Sequence, residues 1–142
     1  MKKKIMAMMT AMVLVITMLA GCGGPTKKDY ESDMNVLTQA ADFIDQTDFD
    51  SGDSFTDKLK GLSCKTEEGK LLLADYISMG SIYDEMKTEM AKDEYDSDAI
   101  NKLMDKMTAL QETFNTHLDA FADAAKAKGV DASQFESSAE TN

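Results

Sequence analysis

Apolar and polar positions follow a helical rhythm through most of the chain. Ile100, Leu103, Met107, Leu110, Phe114, His117, Phe121 and Ala125 recur every three or four residues, with Leu118 and Ala122 beside them. That spacing keeps one stripe on one face and predicts a helix of about 31 residues, ~46 Å long. Asp96 or Ser97 can cap its start, Tyr95 is placed to staple onto Ile100, and Gly129 can end it. A second stripe, Leu72, Tyr76, Met79, Tyr83, Met86 and Met90, predicts a helix from a Thr66 cap to about Lys92. Gly80 interrupts it at a cost of about 1 kcal/mol relative to alanine, unless a neighbouring helix packs close there. A shorter stripe, Met34, Leu37, Ala41 and Ile44, predicts a helix over 32–46. Phe55 and Leu59 allow one or two turns within 54–62.

Strand alternation of useful length is absent. The expected fold is all-α: an antiparallel three-helix bundle over 29–129, with a short extra helix near 54–62 and a polar tail over 130–142. The short link between the second and third long helices makes those two antiparallel neighbours. Asp29-Tyr30-Glu31-Ser32-Asp33 is echoed by Glu94-Tyr95-Asp96-Ser97-Asp98. The echo reads as one helix-start grammar used twice.

The first residues follow a different rule. Lys2, Lys3 and Lys4 precede an uncharged apolar run over 5–18, which ends in Leu19-Ala20-Gly21-Cys22. A charged start, a short apolar run and small residues before a cut site make a secretory signal over 1–21. The run is shorter than the ~20 residues of a comfortable membrane span. Its ending resembles the lipobox of bacterial lipoproteins. The resemblance implies diacylglycerol on the Cys22 thiol, cleavage before Cys22, and acylation of the new N-terminus. Residues 22–28 would then be the lipidated Cys and a short stem. Gly23 is not the Asp of an inner-membrane retention signal. Every one of the 15 basic residues is lysine, a bias that favours a Gram-positive source and an anchor on the outer face of its membrane. In a Gram-negative cell the place would be the outer membrane.

Cleavage changes the electrostatics. Three lysines leave with the leader, so the net charge moves from −11 for the whole chain to −14 for 22–142. Such a body is no nucleic-acid binder, because phosphate neutralisation needs a clustered basic surface. Lys27 and Lys28 in the stem can meet an anionic lipid surface. Lys58, Lys60, Lys65 and Lys70 form a basic island in an otherwise acidic body. They offer a contact for an anionic partner, or simply pair with acids of neighbouring helices.

Chemistry is sparse. One His and two Cys exclude multi-His and four-thiolate metal sites. Asp48, Asp50 and Asp53 are a weak candidate cation site. Counted from Asp48, an EF-hand needs Gly and Glu where Asp53 and Leu59 stand, so a solvated turn is the better account of the loop. Met86 with Met90, and Met104 with Met107, are spaced as soft ligands, but core packing explains them better. His117 lies on a helix stripe as a boundary or core residue. Serine nucleophile motifs and glycine-rich phosphate loops are missing. Cys64 is either a small buried apolar residue or the link of a disulfide-bonded homodimer. The expectation is therefore a non-enzymatic, lipid-anchored interaction, scaffold or inhibitor module of the cell envelope. Its partners would be the membrane and an envelope protein, and its only attached group the lipid on Cys22. The alternative is a cation- or small-solute-binding lipoprotein.

Overall fold

The computed structural model describes residues 23–46 and 52–135. The leader with Cys22, the loop residues Asp48 and Asp50, and the last seven residues lie outside the described residues. Among the described residues, four helices carry the fold: α1 (Lys27–Asp45), α2 (Phe55–Lys60), α3 (Glu67–Met90) and α4 (Ser97–Ala127). A single 3₁₀ turn (Ser133–Phe135) follows. The chain is an all-α helical bundle, as its periodicity dictates.

α1 starts earlier than its apolar stripe suggests. Thr26 caps it, and Asp29 returns the bond: the Asp29 N–H donates to Thr26 Oγ1 at 3.4 Å, and the Thr26 N–H donates to Asp29 Oδ2 at 2.9 Å. This reciprocal pairing satisfies donors that a helix start leaves orphaned. Lys27 and Lys28, expected in the stem, belong to the first turn of the helix instead. The buried stripe is Tyr30, Asp33, Leu37 and Ala40, turned from the expected one because it contains an aspartate.

Each helix reverses the direction of the one before. α2 is short, yet it is a full member of this order. It returns the chain along α3 and so makes α1 and α3 run the same way: Tyr30 meets Glu68, Asp33 meets Thr66, and Asp45 is within electrostatic reach of Tyr76. α4 runs against both, with Phe114 on Tyr76 and Phe121 on Tyr30. Gly80 is explained by α2. A Cβ there would come within 2.7 Å of Leu59 Cδ1, so the glycine is what lets α2 lie close.

α4 ends as predicted at Gly129, with φ of 77°. The Val130 N–H donates to the Ala125 carbonyl and the Gly129 N–H to that of Lys126, the bond pair of a Schellman cap. The chain then turns back. Val130, Ala132 and Phe135 are buried, and the Phe135 ring meets Phe121 edge-on at 5.5 Å. The polar tail expected from Val130 onward therefore begins no earlier than residue 136. Three apolar residues among polar neighbours suffice, because Gly129 aims them at the core.

Candidate functional site

Three aspartates knit the bundle. Asp33 of α1 is fully buried. It accepts from the Lys65 N–H at 2.7 Å, the Thr66 N–H at 2.8 Å and the Thr66 hydroxyl at 2.7 Å. Thr66 Oγ1 in turn accepts from the Gly69 N–H at 3.0 Å. The start of α3 is thus capped twice, once by its own threonine and once by a carboxylate from α1. Gly69 makes room: a Cβ would lie 2.5 Å from Asp33 Oδ2.

Asp84 of α3 does the same for α2. It accepts from the Ser54 hydroxyl at 2.7 Å and from the N–H groups of Phe55 and Thr56 at 2.9 and 3.0 Å. Desolvation pushes its carboxyl up, but the bonds from Thr56, Ser54 and Phe55 prevail and hold it below the usual carboxylate value. Asp75 faces His117 across the α3–α4 seam, Oδ2 to Nδ1 at 2.6 Å. Burial outweighs that bond and raises the Asp75 carboxyl above its usual value. The pair joins α3 to α4.

Most of the expected lysines have acidic partners. Lys58 pairs with Asp53 at 3.0 Å, Lys65 with Asp29 at 3.7 Å, and Lys70 with Glu67 at 2.6 Å. Lys60 is exposed at the end of α2. The basic island is strung along α2, the following loop and the first turn of α3, and three of its four lysines are matched by acids. Asp53 is occupied by Lys58, and its carbonyl accepts from Lys87 Nζ at 3.2 Å. Among the described residues, no group of three or more His, Cys, Asp or Glu side chains is placed to hold a metal ion.

Cys64 is buried in the core, and desolvation, helped by the Asp33 charge, pushes its thiol up to about 12. This is the setting of a packed, unreactive thiol, and a disulfide between two copies would require the loop to open first. Among the described residues, no buried side-chain polar atom lacks a partner, and no helix is long and apolar enough to cross a membrane.

A groove of about 560 Å³ lies between the outer ends of α3 and α4, where Ser81, Thr88 and Ala99 are too small to fill the space. Glu85 and Glu89 stand on one wall and Lys102 and Lys106 on the other, Lys106 reaching Glu85 at 3.5 Å. Among the described residues, the large hydrophobics that are exposed, Met90, Tyr95 and Met104, all belong to this same hairpin. Sequence reasoning placed Met90 in a core stripe and Tyr95 in a staple. What it missed is that no third helix reaches that far. Comparison with protein-family models, curated proteins and solved structures found no match.

Proposed function

We propose that this chain is a membrane-anchored extracytoplasmic lipoprotein that acts by binding, as an interaction, scaffold or inhibitor module of the cell envelope. One observation carries the proposal: Leu19-Ala20-Gly21-Cys22 closes an apolar leader, and only residues 23–26 separate Cys22 from the capped start of α1. Two acyl chains on one thiol are the count that gives stable anchoring. Four residues reach at most ~14 Å, so the bundle stands directly on the lipid surface. The starts of α1 and α3 and the end of α4 then lie near the membrane. α3, 24 residues long, carries its far end ~36 Å outward at the usual rise per residue. Binding is preferred to catalysis because the polar groups of the bundle are committed to capping and to joining helices.

Metabolic labelling with an alkyne fatty acid tests the anchor. Label is expected on the wild-type chain in the membrane fraction and lost on Cys22→Ala, with the leader retained. Label that persists in Cys22→Ala, or a wild-type chain that takes none, would overturn the anchor. Crosslinking on intact cells tests the binding role, and recovery of the chain with nothing crosslinked to it would count against it.

A further inference from the structure

The end of the bundle nearest Cys22 differs in charge from everything beyond it. α1 and α3 start there, held together by the bond between Thr66 and Asp33 and by Lys65 on Asp29 at 3.7 Å. α4 ends there: from the Asp75–His117 contact, nine residues back along α3 and eight forward along α4 bring Thr66 and Ala125 to one level. The fold thus gathers three stretches that are distant in sequence, 27–31, 65–70 and 126–131. They hold six lysines, Lys27, Lys28, Lys65, Lys70, Lys126 and Lys128, against five acids. The rest of 22–142 holds six lysines against 21 acids. The five acids are also engaged within the end itself. Asp29 returns the Thr26 cap, Glu31 meets Lys27 and Glu67 meets Lys70. Glu68 accepts from the Tyr30 hydroxyl, and Asp131 from the Ser133 N–H at 3.2 Å. All six lysines are exposed, and among the described residues Lys28 and Lys128 stand in no ion pair.

We infer that this end is a contact surface for anionic phospholipid headgroups, and that it stands the bundle upright on the membrane. The occupant follows from the tether and from charge. Only residues 23–26 separate Cys22 from α1, so a chain anchored at Cys22 presents this end to the lipid first. A lysine beside an anionic leaflet is attracted to it, and the attraction fades within a Debye length, ~8 Å at physiological salt. That depth is about one and a half helical turns. The lipid surface therefore acts on the lysine-rich end and only weakly on the acids above it. Tilting the bundle would carry those acids down into the same field, and their repulsion opposes it. Lys28 and Lys128 sit on different helices, α1 and α4, so the contact has breadth as well as charge. The inference rests on the anchor proposed above, and adds to it a preference for the kind of lipid.

Paramagnetic broadening of amide signals tests it. The full mature chain is coupled through the Cys22 thiol to a maleimide diacyl lipid, Cys64 being buried. It is then placed in nanodiscs doped with a gadolinium-chelating lipid. One set of discs is phosphatidylcholine and the other contains phosphatidylglycerol as well. With phosphatidylglycerol, the amides of Lys28, Lys65 and Lys128 should broaden and those of Met90 and Tyr95 should stay sharp. In phosphatidylcholine alone the bundle tilts on its tether, and this contrast should fall at least about twofold. Salt at 1 M should have the same effect, because screening then acts over ~3 Å. Lys28→Gln with Lys128→Gln should bring the contrast in phosphatidylglycerol down to the phosphatidylcholine value. Lys92→Gln with Lys106→Gln makes the same change of charge at the far end and should leave the contrast in place. All four positions are exposed, and unchanged circular dichroism would show that both variants fold.

Equal contrast in the two kinds of disc, or wild-type contrast in the Lys28 and Lys128 variant, would overturn the contact surface. So would broadening of Met90 and Tyr95 in phosphatidylglycerol, which would mean that the bundle lies flat. An equal loss in the far-end variant would overturn it too, by tracing the effect to net charge and not to place. Because the lipid is attached chemically, the outcome does not depend on whether a cell lipidates Cys22. Failure of the anchor is read by metabolic labelling, and failure of the contact surface by broadening.

Discussion

The two halves of the α3–α4 pair are built from the same spacing of apolar residues and end up as different kinds of structure. Near the starts of α1 and α3 the pair is enclosed. α1 covers it from one side, and the turn at Ser133–Phe135 closes the end. Tyr30, Phe121 and Phe135 stack in tilted or edge-on contacts of 5.8 and 5.5 Å. Asp33 and Asp75 bind across helices, and the Tyr30 hydroxyl donates to Glu68 at 3.0 Å. In the outer half Ile82 and Leu103 are still buried, but the cover is shorter: the six-residue α2 reaches α3 at Gly80, Tyr83 and Asp84, and past it only α3 and α4 continue among the described residues. What surrounds them is exposed methionine, an open groove and surface ion pairs. A periodic stripe states that a face is apolar; whether it becomes core depends on a third element arriving to cover it.

If that contrast is energetic as well as geometric, the largest effect belongs to the enclosed half. Phe121→Ala should lower unfolding free energy by about 3–5 kcal/mol, the usual cost of truncating a fully buried aromatic. Urea denaturation followed by circular dichroism measures it. Met104→Ala is the matched change in the outer half and should fall within about 0.5 kcal/mol of wild type. Comparable losses for the two would erase the distinction.

Next in size is the buried cap. Asp33→Ala removes the acceptor of three hydrogen bonds and leaves the Lys65 and Thr66 N–H groups without it. A loss of about 2–4 kcal/mol is expected, combining a lost charge-assisted cap with unsatisfied buried donors. Gly69→Ala should act at the same place, since its Cβ would push against Asp33 and Thr66. The double variant should therefore cost less than the sum of the two single ones. Strict additivity would mean that the two residues do not share one cap.

How far this was legible in sequence depended on whether the cause was local. Helix existence, the Thr66 and Asp96 caps, the Gly129 stop and the short helix around Phe55 and Leu59 follow from neighbouring residues, and all stand in the structure. The roles of Asp33, Asp75 and Asp84 were not legible, because their partners lie 28 to 42 positions away. A signal was present nonetheless: an aspartate in register with an apolar stripe, as Asp33 is with Tyr30 and Leu37. The echoed pentapeptides make the same point. Tyr30 is 3% exposed and Tyr95 is 60% exposed within nearly the same local sequence, because Phe121 and α3 meet the first and no third helix reaches the second.

Acid titration separates two of the aspartates by sign. The folded-state value of Asp84 lies below its ordinary 3.8, so its contribution is full above 3.8 and is lost as pH falls through the lowered value. Asp75 is raised above 3.8, so it contributes stability below 3.8 and loses that contribution as pH rises through the raised value. Asp84→Asn should cost stability at pH 7 and leave a shallower loss toward pH 2. Asp75→Asn should remove the opposing gain and make the acid loss steeper. Urea midpoints between pH 2 and 6 check both, and matching slopes in the two variants would contradict the assignment.

The smallest effect is expected from the most visible interaction of the outer half. Lys106 and Glu85 meet at 3.5 Å across the groove, with their side chains 59% and 52% exposed. Water screens such a pair, and holding two long side chains in one geometry costs rotamer freedom, so its coupling should be below about 0.5 kcal/mol. A double-mutant cycle with Lys106→Met and Glu85→Gln isolates that coupling from the loss of either side chain alone. Raising the salt to 1 M should abolish what is found, since screening then acts over ~3 Å. A coupling above about 1 kcal/mol that survives salt would mean that the hairpin is braced by its charges.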